Sequence, residues 1–223
     1  GAWSRLGTFL RDGGLLKYQG SITRDTGRQA KESKLSAYFR LGLLSMVDVY
    51  WQLDQGIPQA QKWLRRMAWR DYSYWMLYYW RDLPEAPMRP VYRTLPWSES
   101  KEALQAWKYG KTGYPTVDAA MRELLTTGYV QQHMRHCVGQ FLVEVLGISW
   151  VEGEEWFHVT LADADCAINS MMWQHQGLSG VSQWLTAVQC HPVTNAKNMD
   201  PDGSYVRHFV PELVALPDRY IHA

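Results

Sequence analysis

The sequence predicts an all-α fold, and three observations predict it. Along most of the 223 residues, apolar side chains recur with the 3.6-residue period of a helix; the alternation of a strand is nearly absent; and the breaks between periodic segments carry the Gly, Pro, Ser and Asp signals that stop and start helices. The length fits one large domain or two small ones, and with 46% hydrophobic residues the core is ample. No repeat or low-complexity tract divides the chain, and we read a single helical domain over residues 1–223.

Trp3, Leu6 and Leu10 predict a first helix over residues 2–12, and "GGLLKYQGSITRDTGRQAKESK" reads as a long polar loop, a length usually tied to function or mobility. "KLSAYFRLG" is a short helix, and Ser45 with Asp48 three residues later gives a capping-box pattern for a helix through Leu53. Pro58 suits the first turn of the next helix, which runs to about Arg81 and is crowded with Trp63, Trp69, Tyr72, Trp75, Tyr79 and Trp80; packing is the expectation for Trp69. The prolines of "LPEAPMRPVYRTLPW" force a surface connection. Helices follow near 99–108, from the Gly-Tyr-Pro turn at 113–115 to about Thr127, and from Tyr129 to Leu146. In the last of these, Val130, Met134, Val138, Phe141, Leu142 and Val145 form an apolar stripe, and Gln131, Gln132, Arg135 and His136 lie off it, a polar side shaped for more than solvent. A short helix at 152–161, one from Asp163 to Gln176, one around 181–190, the Pro-Asp-Gly turn at 201–203 and a final helical stretch complete the order.

Composition excludes several classes. A net charge of +1 advertises no nucleic-acid partner, although a local basic groove fits within a balanced total. Cys137, Cys166 and Cys190 are scattered and odd in number, which argues against a disulfide framework and a structural zinc site and points to a reducing compartment, whether nucleus, cytoplasm or plastid. No apolar run approaches the roughly 20 residues of a membrane span, so the reading is a soluble protein. The first residue is Gly rather than Met, as expected of a processed or excised piece. "YGKTG" fails as a phosphate loop because the required first Gly falls on Gln105, and "DPDGSYV" fails as a calcium loop because its twelfth position is Pro211. "GLSG" lacks the spacing of a nucleophile elbow, and His133 with His136 has no carboxylate at a metal-binding offset; no metal site is expected.

One stretch resists a purely structural reading. In "DADCAINSMMWQ", Asp165, Asn169 and Trp173 are four apart and share one helical face, which looks either at water or at a flat polar ligand needing edge hydrogen bonds and an aromatic neighbour. Joined to "WKYGKTGYPTVDAAMRELLTTGYVQQHMRHCVGQFLV" before it and "DPDGSYVRHFVPEL" after it, this stretch resembles the flavin-binding helical domain of the photolyase and cryptochrome family. "KLSAYFRLGLLS" and "AWRDY" extend the resemblance over nearly the whole chain, without the family's N-terminal α/β antenna domain.

The resemblance implies FAD as cofactor. It implies that Asp163 pairs with Arg135 beside the isoalloxazine, that Asp165 accepts hydrogen bonds from the flavin or ribityl region, and that Asn169 faces flavin N5 as donor or acceptor. On the phosphate side, Ser33, Leu35 and Ser36 match the family's Thr-Ser-x-Leu-Ser segment, with Tyr18 closing that side and Arg70 at a further ligand position. Glu32 replaces the segment's first Thr, a change that Lys31 or Lys34 compensates. Trp173, Trp150 and Trp97 match the three tryptophans that carry an electron from the surface to the excited flavin.

Repair members carry a Glu where this chain has Arg66, and an Asn touching lesion or flavin where it has Gln132; Gln131 with His133 does not reproduce the paired histidines of the other repair class. The resemblance therefore implies first a blue-light or redox flavoprotein whose output is carried by protein contacts. Second comes a light-driven DNA photolyase acting on pyrimidine dimers, and third a non-catalytic interaction subunit on the same fold.

Overall fold

A computed structural model describes residues 1–11, 13–18, 32–177, 179–180 and 196–222. Among them there is no strand. The helices are α1 (Ala2–Arg11), α2 (Ser36–Arg40), α3 (Met46–Gln52), α4 (Pro58–Tyr79), α5 (Lys101–Lys108), α6 (Pro115–Thr127), α7 (Gln132–Gln140), α8 (Trp150–Thr160), α9 (Cys166–Gln176), α10 (Ala196–Met199) and α11 (Ser204–Phe209). The segment Phe141–Val145 continues α7 as a π-helical turn, and the proline-rich connection forms a 3-10 turn over Pro90–Thr94. The expected helix around 181–190 and most of the long loop lie outside the described residues.

Start signals read in the sequence work as caps. Ser45 accepts from the backbone N–H of Asp48 at 3.5 Å, and Pro58 and Pro115 open α4 and α6. The Gly-Tyr-Pro turn is tied down by Asp118, whose carboxylate accepts from Thr112 N at 2.7 Å, Thr112 Oγ1 at 2.6 Å and Gly113 N at 3.0 Å. Asp200 does the same for α11, accepting from Tyr205 N at 2.9 Å and Val206 N at 3.0 Å. The two motif aspartates are therefore structural.

The principal core gathers Trp107, Met121, Leu124, Phe141, Leu142, Trp150, Phe157 and Trp173 from α5 to α9. A smaller cluster of Leu6, Phe9, Leu35, Val49 and Trp63 closes the N-terminal part. α9 packs between α8 and α4, which places it centrally. Two expectations change here. The helix read from Asp163 begins only at Cys166, because Asp165 has extended backbone angles and caps the helix, accepting from Ile168 N at 3.3 Å. Trp69, expected to pack, is 41% exposed and meets only the edge of Tyr72 at 5.6 Å among the described rings.

Candidate functional site

The turn before α9 brings two carboxylates against two arginines. Arg135 on α7 directs Nη2 at both oxygens of Asp163, at 3.1 and 2.9 Å, while its Nε donates to the carbonyl of Val130 at 2.8 Å. Arg70 on α4 donates to Asp165 at 3.0 Å, and the hydroxyl of Tyr74 donates to the same oxygen. Asp165 is only 3% exposed, so these bonds keep its charge compensated. Burial and the bond to Asp165 push the Tyr74 hydroxyl up from its ordinary range, which keeps it a donor.

One turn into α9, the Asn169 amide donates both hydrogens to Glu154 on α8, to the backbone carbonyl at 2.9 Å and to the carboxylate at 3.0 Å. A flipped amide would set oxygen against a carbonyl that cannot donate, so the orientation is fixed. Asn169 therefore has only its carbonyl oxygen with which to meet a ligand, which narrows the dual role expected from the sequence. Ser170 Oγ donates to the same Glu154 carboxylate at 3.0 Å.

Trp173 and Trp150 are buried, 3% and 1% exposed, and pack reciprocally on each other's helices. A Cβ on Gly153 of α8 would lie 2.2 Å from the Trp173 ring, and one on Gly177, which caps α9, would lie 2.3 Å from the Trp150 ring. Glycine at these positions is what lets the indoles in. Trp173 also meets Phe157 edge-on at 5.1 Å and Trp107 at 6.3 Å. Trp97 is partly buried against the same core.

On the other side, Arg5 of α1 donates to the carbonyl of Ser33 at 3.0 Å, Ser36 is the first residue of α2, and burial pushes the Tyr18 hydroxyl up from its ordinary range, opposed by the charge of Arg66. Leu35 is 1% exposed within the N-terminal cluster, so its side chain serves packing and only its backbone is left for a ligand. Glu32 accepts from Tyr129 Oη at 2.6 Å, and the Tyr129 ring has Lys34 and Arg135 each 5.3 Å from its centre. Burial raises the Glu32 carboxyl, opposed by Tyr129, Arg135 and Lys34.

Gln132, half-buried, opens α7. Further along α7, His136 Nδ1 accepts from the Gln176 Nε2 amide at 2.7 Å, and its ring stands 6.1 Å from that of His175. Burial, with His175, His133, Arg66 and Arg135 adding to it, lowers the imidazole to about 4, so it is neutral at pH 7. Its Nδ1 therefore accepts from the Gln176 amide. Among the described residues, Gln176 Oε1 is buried with no partner, an acceptor left for a ligand.

The sequence did not single out Tyr74, Glu154, Tyr129, Arg5 or Trp107. Tyr74 had a signal, standing four residues after Arg70 on one helical face. Glu154 had a weaker one, a carboxylate between Trp150 and Phe157 on a buried helix.

Comparison with known proteins decides the family. The description "FAD binding domain of DNA photolyase" matches residues 63–223. This chain belongs to that family. The cofactor is FAD. The chain is 39% identical over 81% of its length to a deoxyribodipyrimidine photo-lyase of Thermus thermophilus, covering 43% of that protein. It superposes on the class III photolyase of Agrobacterium tumefaciens with a TM-score of 0.90 at 33% identity, over 100% of this chain and 46% of the other. For a Synechocystis cryptochrome the TM-score is 0.88 at 28% identity, over 99% and 47%. The chain thus spans about half the length of these relatives. No helix among the described residues is long and apolar enough to cross a membrane, and no group of three or more metal-ligating side chains is found among them.

The residues present fit a flavin dinucleotide. Two ion pairs and the Asn169 amide lie on the turn and first helical turn at 163–169, Arg5 holds the carbonyl of Ser33 in the segment that leads into α2, and among the described residues Gln176 Oε1 is a buried acceptor without a partner.

Proposed function

We propose that this chain is the cofactor-holding part of a blue-light or redox-responsive flavoprotein in which Trp173 is the immediate electron donor. The observation that carries the reading is the Trp173 indole, buried at 3% exposure one helical turn beyond Asn169 and locked against Gly153. When bound, FAD supplies an oxidant once it absorbs blue light. Trp173 gives up the electron; Trp150 and Trp97 refill it stepwise, and an external thiol restores the last ring. Asp163 with Arg135, and Asp165 with Arg70 and Tyr74, hold the isoalloxazine and ribityl groups, while Tyr18, Ser33, Ser36 and the backbone at Leu35 take the phosphates. Gln132 flanks the ring. Output passes to a protein partner in a reducing compartment, nucleus, cytoplasm or plastid.

The relatives named as photo-lyases favour a second reading, light-driven repair of pyrimidine dimers in DNA. Arg66 and Gln132 weigh against it. Repair predicts affinity for irradiated DNA that falls steeply with salt.

The test is the visible spectrum before and after blue light with thiol present. Trp173→Phe should slow photoreduction by at least about tenfold, the consequence of removing the nearest readily oxidised ring. Equal rates in the two proteins would remove the tryptophan route, and a protein that holds no chromophore would leave only the interaction-subunit reading.

A further inference from the structure

A phenol gives up an electron readily only when its proton can leave in the same step, because the cation formed otherwise is a very strong acid. Among the described residues, Tyr74, Tyr129 and Tyr205 each donate the hydroxyl to a carboxylate, that of Asp165, Glu32 and Glu123 in turn. Their surroundings differ. Tyr205 is 5% exposed on α11, out of reach of a reductant in solvent. Tyr129 has Lys34 and Arg135 over its ring, each 5.3 Å from the centre, an attraction that is lost when an electron leaves the ring. Tyr74 is 49% exposed, while its acceptor Asp165 is 3% exposed at the start of α9. One side chain thus joins solvent to the buried carboxylate. Arg70 donates to the same oxygen at 3.0 Å and the Ile168 N–H to the other at 3.3 Å, so the acceptor is already in place when a proton arrives. A carboxylate paired with a guanidinium remains a far stronger base than an oxidised phenol.

We propose that Tyr74 is a second electron donor to photoexcited FAD, acting with Asp165 as its proton acceptor. One electron leaves the Tyr74 ring for the flavin and the hydroxyl O–H bond breaks, its proton joining Oδ2 of Asp165. The products are a neutral tyrosyl radical, a neutral carboxylic acid and a flavin reduced by one electron. A thiolate in solvent then returns one electron to the exposed ring and Asp165 returns the proton, which restores both side chains; the thiyl radicals pair as a disulfide. The tryptophan route runs through the core by way of Trp173, whereas this one enters from α4. The proposal rests on the reading that Asp165 meets the flavin, and it does not depend on Trp173 being oxidised.

The experiment illuminates the FAD-loaded chain with thiol present and follows the visible spectrum in wild type, in Trp173→Phe, and in Trp173→Phe carrying Tyr74→Phe or Tyr74→Gln. Trp173→Phe should keep a residual photoreduction that is slower in deuterated water, and either substitution at Tyr74 should cut that residual rate by about fivefold or more. Electron paramagnetic resonance of samples frozen under light without thiol should show a tyrosyl radical in Trp173→Phe that both double variants lose. Infrared difference spectra of the same samples should show a carboxylic acid formed only while Tyr74 is present. Tyr74→Gln keeps a hydrogen-bond donor for Asp165 without an oxidisable ring, and circular dichroism confirms which variants fold. A residual rate restored by Tyr74→Gln would make Tyr74 a mere support for Asp165 and overturns the proposal. A residual rate unchanged in both double variants, or no residual rate in Trp173→Phe, also overturns it and leaves the tryptophan route standing. A wild-type rate in Trp173→Phe that falls only when Tyr74 is replaced overturns the tryptophan route and keeps this one. A chain that takes up no FAD overturns both.

Discussion

From α5 onward the chain closes a core in which Trp107, Phe141, Trp150 and Phe157 are at most 2% exposed, whereas α4 leaves Trp69, Trp75, Tyr78 and Tyr79 between 41% and 69% exposed. The two regions are held by different physics. The C-terminal one is locked by apolar burial and by backbone caps within it, Asp118 and Asp200. The N-terminal one buries less and is fastened to the other by polar bridges: Arg70 and Tyr74 to Asp165, Arg40 Nε to the carbonyl of Ala164 at 2.6 Å, and Tyr129 to Glu32. Gln174 of α9 adds a stitch, donating to the carbonyls of Leu83 at 2.8 Å and Ala86 at 2.7 Å while accepting from Met88 N at 3.1 Å. The residues proposed to hold the flavin lie on this seam, beside the apolar cluster of Met76, Leu83 and Met171 that also joins α4 to α9.

Breaking the seam should therefore cost most. Among the described residues, Arg70→Met leaves buried Asp165 with its charge supported only by Tyr74 and the Ile168 N–H, and removing one partner of a buried pair costs about 3–5 kcal/mol. Urea unfolding should show the loss, and flavin retention should fall with it. If the variant unfolds at the wild-type midpoint, the bridge carries none of the stability given to it here.

Straining the interior of the C-terminal region should cost less but act on function. A methyl on Gly153 would sit 2.2 Å from the Trp173 ring and 2.8 Å from Leu142 Cδ2, closer than atoms can approach, so the indole must move. Gly153→Ala should destabilise by about 1–3 kcal/mol, the range of overpacked cores, and should also slow photoreduction by displacing the donor. Loss of stability with an unchanged photoreduction rate would separate the packing of Trp173 from its electron transfer.

These two regions also differ in how far the sequence exposed them. The order of helices, the caps at Ser45, Pro58 and Pro115, and the apolar stripe of α7 were legible because each is a local pattern of period or terminus chemistry. So were Asp163 and Arg135 as partners, through the family motif. The true start of α9 was not, since Asp165 reads as helical by spacing and acts as a cap by its extended backbone. Glu154, Tyr129 and Arg5 were invisible for a related reason. Their partners lie 15 residues away for Glu154 to Asn169, 97 for Tyr129 to Glu32 and 28 for Arg5 to Ser33, and no periodicity reports a contact of that kind. The exposed rings of α4 show the converse failure, because an aromatic-rich helix reads as core whichever way it faces.

The smallest effect sharpens the comparison through pH. His136 lies between the two regions, on α7 beside α9 and within reach of Arg66 on α4, and its folded value of about 4 stands below the ordinary 6.5. For a group depressed on folding, stability is complete above the unfolded value and is lost as pH falls toward the folded one, so the window is pH 6.5 down to 4. Glu32 and Glu123 work in the opposite sense, since burial raises both: their contribution is complete below 4.5 and lost as pH rises through the folded values. Comparing variant with wild type cancels these and isolates the histidine. His136→Gln keeps an amide against Gln176 and removes the titration, so its melting temperature should fall less between pH 7 and pH 5 than that of wild type, by on the order of 1 kcal/mol in stability. Parallel pH profiles would mean that the His136 proton is not excluded by the fold, and that the space between α7, α9 and Arg66 is wet rather than closed.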